Sequence, residues 1–196
     1  QPKFVIEDPA FLATLPDSEY LNGLAEVVKH GAISDAGLFK FLESHVRQIL
    51  DRDPKALERM IANSITIKMM VVKADELEAG ERRKLNFGHT FGHGLESVER
   101  ISHGQGVAWG MRRASRLSEM RGLLSAGERR RIENLLDALG LDISPTVDLD
   151  SLFHAFSADK KRQEQFIWFV FLEKIGKAVL QRIPLSDLER ALHDLR

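Results

Sequence analysis

The 196-residue chain contains no cysteine, which excludes a disulfide framework and any thiolate metal site. A transition metal must then be held by His, Asp and Glu, a donor set that suits a catalytic zinc better than a structural one. Net charge is nearly absent too. The 28 Lys and Arg against 29 Asp and Glu leave a formal −1, which argues against nucleic acid as a partner. No long hydrophobic run appears: the longest, Phe166 to Leu172, is far too short to span a bilayer, and no signal peptide is visible. The expectation is a cytoplasmic chain with no membrane partner. Repeats, low-complexity tracts and flexible linkers are also missing, so residues 1–196 read as one domain.

What the chain does have is a dense polar stretch, Arg82-Arg83-Lys84-Leu85-Asn86-Phe87-Gly88-His89-Thr90-Phe91-Gly92-His93. If it is helical from about Gly88, steps of about 100° per residue put His89 and His93 nearly above one another. Glu96 follows one turn on, and Phe91, Leu95 and Val98 make an apolar stripe on the opposite side. Histidines at i and i+4 are how a helix offers two nitrogens to one metal ion, although a plain surface helix shows the same spacing. Glycine costs a helix about 1 kcal/mol relative to alanine, so Gly88 and Gly92 suggest that something approaches the backbone closely.

The remaining pattern predicts a mainly α fold: a multi-helix domain with a small β-hairpin near the C-terminus. Phe4-Val5-Ile6 is strand-like. A first helix, capped by Asp17 or Ser18 and running to about Ile33, buries Leu21, Leu24, Ala25 and Val28 beside a narrow polar strip of Asn22, Glu26 and Lys29. Asp35 to about Leu50 reads as a second helix, and Asp53-Pro54 opens a third with Leu57, Met60, Ile61, Ser64 and Ile65 inward. Lys68 falls in the centre of that stripe and must either snorkel outward or be held inside by an anion. Asp75 to Arg83 reads as a loop. Ser102-His103-Gly104 breaks the chain before a helix to about Arg121, which puts His103 at that helix's N-terminus. Ser125 and Glu128 form a capping box for a helix burying Ile132, Leu135, Leu136 and Leu139, stopped by Gly140. A short helix over Asp148 to Phe156 precedes Asp159-Lys160-Lys161. Two apolar runs around Lys174-Ile175-Gly176 read as the hairpin, and Ser186 starts a last helix with Leu188, Ala191, Leu192 and Leu195 inward. Arg112-Arg113 and Arg129-Arg130-Arg131 read as solvated outer faces.

From the residues alone, a zinc site would combine His89, His93 and either His103 or a carboxylate, Glu26 or Glu96 being the candidates. Such a site, with an open position, can polarise a hydroxyl or carbonyl. The cations near it, Lys29, Lys68, Arg82 and the Lys160-Lys161 pair, call for an anionic ligand such as a carboxylate or phosphate.

Leu21-Asn22-Gly23-Leu24-Ala25-Glu26-Val27-Val28-Lys29, the Lys68-to-Arg82 spacing, Leu85 through His93, Ser102-His103-Gly104 and Asp159-Lys160-Lys161 together resemble 3-dehydroquinate synthase. The likeness covers nearly the whole chain but only the C-terminal part of that family. It implies a helical domain holding zinc and most substrate contacts, with the nucleotide-binding domain absent from this chain. The implied metal ligands are Glu26, His89 and His103, and His93 moves to the substrate phosphate and the proton transfers. Lys68 and Arg82 are implied to hold the substrate carboxylate. Asn86, Lys160 and Lys161 are implied to hold the phosphate, and Lys29 and Glu78 to meet substrate hydroxyls and their network. The implied reaction turns 3-deoxy-D-arabino-heptulosonate 7-phosphate into 3-dehydroquinate and phosphate, with zinc (or another divalent metal) and NAD as cofactors in a homodimer. Other sugar-phosphate cyclases and a non-catalytic zinc- and anion-binding relative share the histidine frame. Departures from the family pattern include Gln105 in place of a glutamate, which would weaken support of the metal, His30 in place of a tyrosine, and Glu81 in place of an apolar residue.

Overall fold

A computed structural model describes residues 3–77, 80–143, 145 and 166–188. The architecture is mainly helical with one antiparallel hairpin, as expected. Helix α1 spans Asp17–Ser34, α2 Ala36–Ser44, α3 Val46–Leu50 and α4 Pro54–Ala74. Helix α5 spans His89–Val98, α6 His103–Met120 and α7 Ala126–Ala138; strands β1 and β2 cover Phe166–Lys174 and Lys177–Pro184. No described helix is long and apolar enough to cross a membrane. The short helix over 148–156, the Asp159-Lys160-Lys161 segment, Glu78 and the last helix beyond its first turn lie outside the described residues.

Local chemistry sets most boundaries. Asp53 accepts the Ala56 N–H at 2.9 Å with Pro54 at the first helical position, so α4 starts where the sequence places it. Helix α1 has no side-chain cap: Pro16 stands at the cap, and Asp17, expected there, sits inside the first turn and pairs with Arg52 at 2.7 Å. The single helix expected from Asp35 to Leu50 is broken at His45. Ser44 Oγ donates to the Lys40 and Phe41 carbonyls and His45 Nδ1 to the Phe41 carbonyl, so side chains compete for the helix's own acceptors. Phe4, Val5 and Ile6 form no strand among the described residues and are exposed. Lys68 is exposed rather than central to a buried face. The inner line of α4 runs through Ala56, Met60, Ser64 and Ile67, which turns Lys68 onto the flank beside exposed Met69 and Met70.

The core is continuous across all elements, with Leu24, Phe39, Leu42, Phe87, Leu95, Met111, Ile132, Leu136, Phe169 and Phe171 among its buried side chains. Hairpin and helices are pinned by backbone hydrogen bonds: Leu172 N–H donates to Ser118 Oγ at 3.1 Å, and Gly176 N–H to the Ala32 carbonyl at 2.8 Å. Glu128 forms only half of the expected capping box. Its N–H donates to Ser125 Oγ at 3.2 Å, but its Oε1 accepts the Ile175 N–H at 2.9 Å and so ties α7 to the hairpin turn. The arginine runs are not simply solvated. Arg112 pairs with Asp137 at 2.5 Å, Arg129 bridges Glu119 and Glu133, and Arg131 pairs with Glu43 at 2.6 Å, tying α7 to α6 and α2.

The seam between α5 and α6 positions the site. A Cβ built on Gly110 would stand 1.9 Å from the Gly88 carbonyl oxygen, and one on Gly92 2.7 Å from that of Gly106. Only glycine lets the two backbones approach this closely, which explains the helix glycines that looked expensive in the sequence. Gly88 also begins α5 at φ +83°. At the head of α6, the Gly104 N–H donates to Asn22 Oδ1 at 3.0 Å, fastening α6 to α1.

Candidate metal centre

Three elements converge where α1, α5 and α6 meet. Glu26 comes from the middle of α1, His89 is the first residue of α5 and His103 the first of α6. His89 Nε2 lies 3.5 Å and His103 Nε2 3.6 Å from Glu26 Oε1. Two ligands bound at about 2.1 Å in a tetrahedral frame are about 3.4 Å apart, so both distances match an ion held between these atoms.

The hydrogen-bond partners fix which nitrogens are free. His89 Nδ1 faces the Phe87 carbonyl at 3.3 Å, and a carbonyl only accepts, so the ring proton sits on Nδ1. His103 Nδ1 faces both Glu96 oxygens, at 3.2 and 3.4 Å, which places its proton there as well. Each Nε2 is left with a lone pair turned toward Glu26 Oε1. That oxygen is buried and has no hydrogen-bond partner. Three acceptors facing one another with no hydrogen between them are mutually repulsive until a cation enters, so the residues present fit a divalent metal. Glu96 supplies the outer carboxylate that metal-bound histidines usually have.

Electrostatics favours the same protonation states. Burial, with Lys29 adding, pushes the His89 imidazole down to about 4, so it stays neutral around pH 7. Burial alone would push the Glu26 carboxyl up. The charge and hydrogen bond of Lys29, whose Nζ lies 2.5 Å from Oε2, instead hold it below the ordinary carboxylate range. Lys29 itself is buried, and that burial lowers its pKa against the pull of Glu26. The polar strip of α1 therefore faces inward, not into water. Next to it, His30 is buried, bonded to Ser64 Oγ at 2.7 Å, and pushed down to about 4 by burial and then by Lys29.

The other expected site residues are distributed around this group. His93 is exposed, its ring centroid 5.2 Å from that of His89 and 6.0 Å from that of His103. Among the described residues, no cluster of three donors contains both His89 and His93; the two clusters are Glu26–His89–His103 and His93–Glu96–His103. Lys68 is exposed, yet its charge acts on both Lys29 and His30, which puts it on the site's side of α4. Arg82 lies in the 3-10 turn Glu81–Asn86, where its N–H donates to Asp75 Oδ2 at 3.0 Å and its Nη1 to the Glu76 carbonyl at 2.9 Å. Asn86 ends that turn and is exposed. Gln105 does not face the metal group: its Oε1 accepts the Ser102 N–H at 3.0 Å and closes a capping box on α6. The Ser-x-x-Gln spacing carried that signal in the sequence.

Comparison with known proteins follows the same outline. A family model described as 3-dehydroquinate synthase C-terminal matches residues 23–162. The chain is similar to the 3-dehydroquinate synthase of Geobacter sp. (strain M21), at 44% identity over 96% of this chain and 52% of that protein. It is 38% identical to the 3-dehydroquinate synthase of Dehalococcoides mccartyi (strain CBDB1), over 100% of this chain and 56% of the relative. The chain thus spans about half the length of the curated relatives it matches. Among solved structures it resembles 2-epi-5-epi-valiolone synthase from Streptomyces hygroscopicus subsp. jinggangensis with NAD+ and Zn2+ bound (TM-score 0.83, 29% identity, 96% of this chain and 54% of that one). It also resembles 2-deoxy-scyllo-inosose synthase complexed with carbaglucose-6-phosphate, NAD+ and Co2+ (TM-score 0.84, 27% identity, 98% and 57%).

Proposed function

Because the chain belongs to the 3-dehydroquinate synthase C-terminal family, we propose that it is the metal- and substrate-holding part of a phosphate-eliminating cyclase. The reaction is the conversion of 3-deoxy-D-arabino-heptulosonate 7-phosphate into 3-dehydroquinate and phosphate. The observation that carries the reading is the unpartnered Glu26 Oε1, with the free Nε2 atoms of His89 and His103 turned toward it. Relatives named for this reaction are 38–44% identical to the chain, whereas the structural neighbours that close other rings are 27–29% identical.

Glu26, His89 and His103 would hold zinc or another divalent ion. Bound there, the ion supplies Lewis acidity toward substrate oxygens, and NAD carried by the rest of the enzyme supplies hydride chemistry. The chain's own residues bind and orient. Lys29 keeps Glu26 ionised and, with Glu78, meets substrate hydroxyls. Lys68 and Arg82 take the substrate carboxylate, a planar anion that the Arg82 fork matches. Asn86 with Lys160 and Lys161 takes the phosphate. His93, exposed beside both ligand imidazoles, exchanges protons with the phosphate end of the substrate. Holding both charged ends of one molecule supplies proximity, which alone can contribute about 7–11 kcal/mol to a barrier. The family's homodimer and a cytoplasmic location complete the proposal.

Zinc dialysis tests the centre directly. Glu26→Gln, His89→Ala and His103→Ala should each weaken metal binding by more than the roughly 10–100-fold that losing an outer partner costs. Lys68→Ala and Arg82→Ala should leave zinc in place and raise KM once the remaining length of the relatives is joined in cis. The proposal fails if that joined protein, given zinc, NAD+ and the heptulosonate phosphate, releases no phosphate.

A further inference from the structure

The second donor cluster lies immediately outside the first and shares a ring with it. His93 and Glu96 stand at i and i+3 on α5, so they lie on one face of that helix, and His103 opens α6 beside them. Donor atoms of all three fall within 4.8 Å of one another. The His93 and His103 rings are tilted by only 32° at 6.0 Å, and His103 Nδ1 lies 3.2 Å from Glu96 Oε1. That separation is close to the edge of about 3.4 Å that two ligands of one tetrahedral ion span. Glu96 also lies close against α6: a Cβ built on Gly106 would stand 2.7 Å from its Oε1. Two imidazoles and one carboxylate are the borderline donor set that zinc, cobalt, nickel and copper prefer over magnesium or calcium.

We propose that His93, Glu96 and Nδ1 of His103 form a second, outer site for a divalent transition-metal ion. The outer ion would displace to solvent the proton that His103 Nδ1 shares with Glu96, leaving His103 as an imidazolate between the two sites. His103 thus serves the inner site through Nε2 and the outer site through Nδ1. The outer site is the weaker of the two, since its histidines are exposed and one donor is borrowed from the inner set. Filling it also ties up His93 and removes the hydrogen bond that orients His103. Metal in excess therefore occludes the mouth of the centre instead of filling it further.

The test counts ions on the purified protein with Zn2+ by equilibrium dialysis, and with Co2+ by its visible absorption. Two ions per chain are expected at saturation, the second at least tenfold weaker than the first. His93→Ala, at an exposed position, should bring the count to one while the tight ion remains. Glu26→Gln should do the reverse, removing the tight ion and sparing the outer one, so a failure of the inner centre and a failure of the outer site give different results. A single ion per chain in the unaltered protein, or a second ion that persists in His93→Ala, overturns the outer site.

Discussion

The two sides of α6 are held by opposite means. Toward α5 the contact is backbone against backbone, with Gly88 and Gly92 on one helix meeting Gly106 and Gly110 on the other. Toward α7 and the hairpin it is side chain against side chain, with Leu117, Ile132, Leu136, Phe169 and Phe171 buried together. Side chains can change rotamer, so a lost methylene leaves a cavity whose cost is graded. Backbone atoms have no such freedom, and a gained methylene must move a helix. The glycine seam therefore determines where His89 and His103 stand, while the apolar side supplies stability without setting the site.

The largest effect should come from Gly110→Ala. By helix propensity alone alanine would help by about 1 kcal/mol, but a methyl 1.9 Å from the Gly88 carbonyl oxygen cannot be accommodated without displacing α5. Overpacking of this kind costs about 3 kcal/mol, or roughly 6–12 °C of melting temperature at this chain length. Zinc affinity of the folded fraction should fall with it; a variant that melts lower but binds zinc normally would break the comparison. Leu136→Ala is next. It should lose about 2–3 kcal/mol of stability by cavity formation, yet leave zinc affinity unchanged in a dialysis experiment on folded protein. Unequal zinc binding there would show that the apolar side also sets the site.

Mild acid, near pH 6, should produce the smallest effect, through the buried imidazoles. His30 has a folded pKa of about 4 against an ordinary 6.5, so between those values the unfolded chain takes a proton that the folded one refuses. Its contribution is constant above pH 6.5 and is lost as the pH falls toward 4. His30→Phe should reduce that slope in metal-free denaturant melts, the similarly depressed His89 supplying the rest, with Ser64 returning its hydroxyl to its own helix. An unchanged slope would assign the acid sensitivity elsewhere.

Much of this was legible in the sequence because it is local. Asp53-Pro54, Ser125 and Gly140 mark helix ends through chemistry within a few residues, and Gly140 does stop α7 at φ +73°. The hairpin follows from two apolar runs around Gly176. Spacing could not supply the long-range choices. Whether His93 or His103 joins His89 depends on α6 swinging back onto α5, and the glycines announce a close approach without naming the partner. Spacing leaves Lys68 either snorkelling outward or held inside, and a shift of one residue in the inward line of α4 puts it on the exposed flank. The same spacing reads the arginine runs as solvated because most of their acidic partners lie on other helices: Asp137 on α7 for Arg112, Glu119 on α6 for Arg129 and Glu43 on α2 for Arg131.

Lys29 adds a consequence of its own. Its ammonium is buried against Glu26 Oε2, which leaves Oε1 as the one oxygen free to meet a cation. A carboxylate tied in this way is monodentate and cannot close over an ion with both oxygens. Among the described residues, Glu26, His89 and His103 would then offer a divalent ion three donor atoms, which would leave its other positions to exchangeable ligands. Lability at the metal thus traces to a lysine that never touches it.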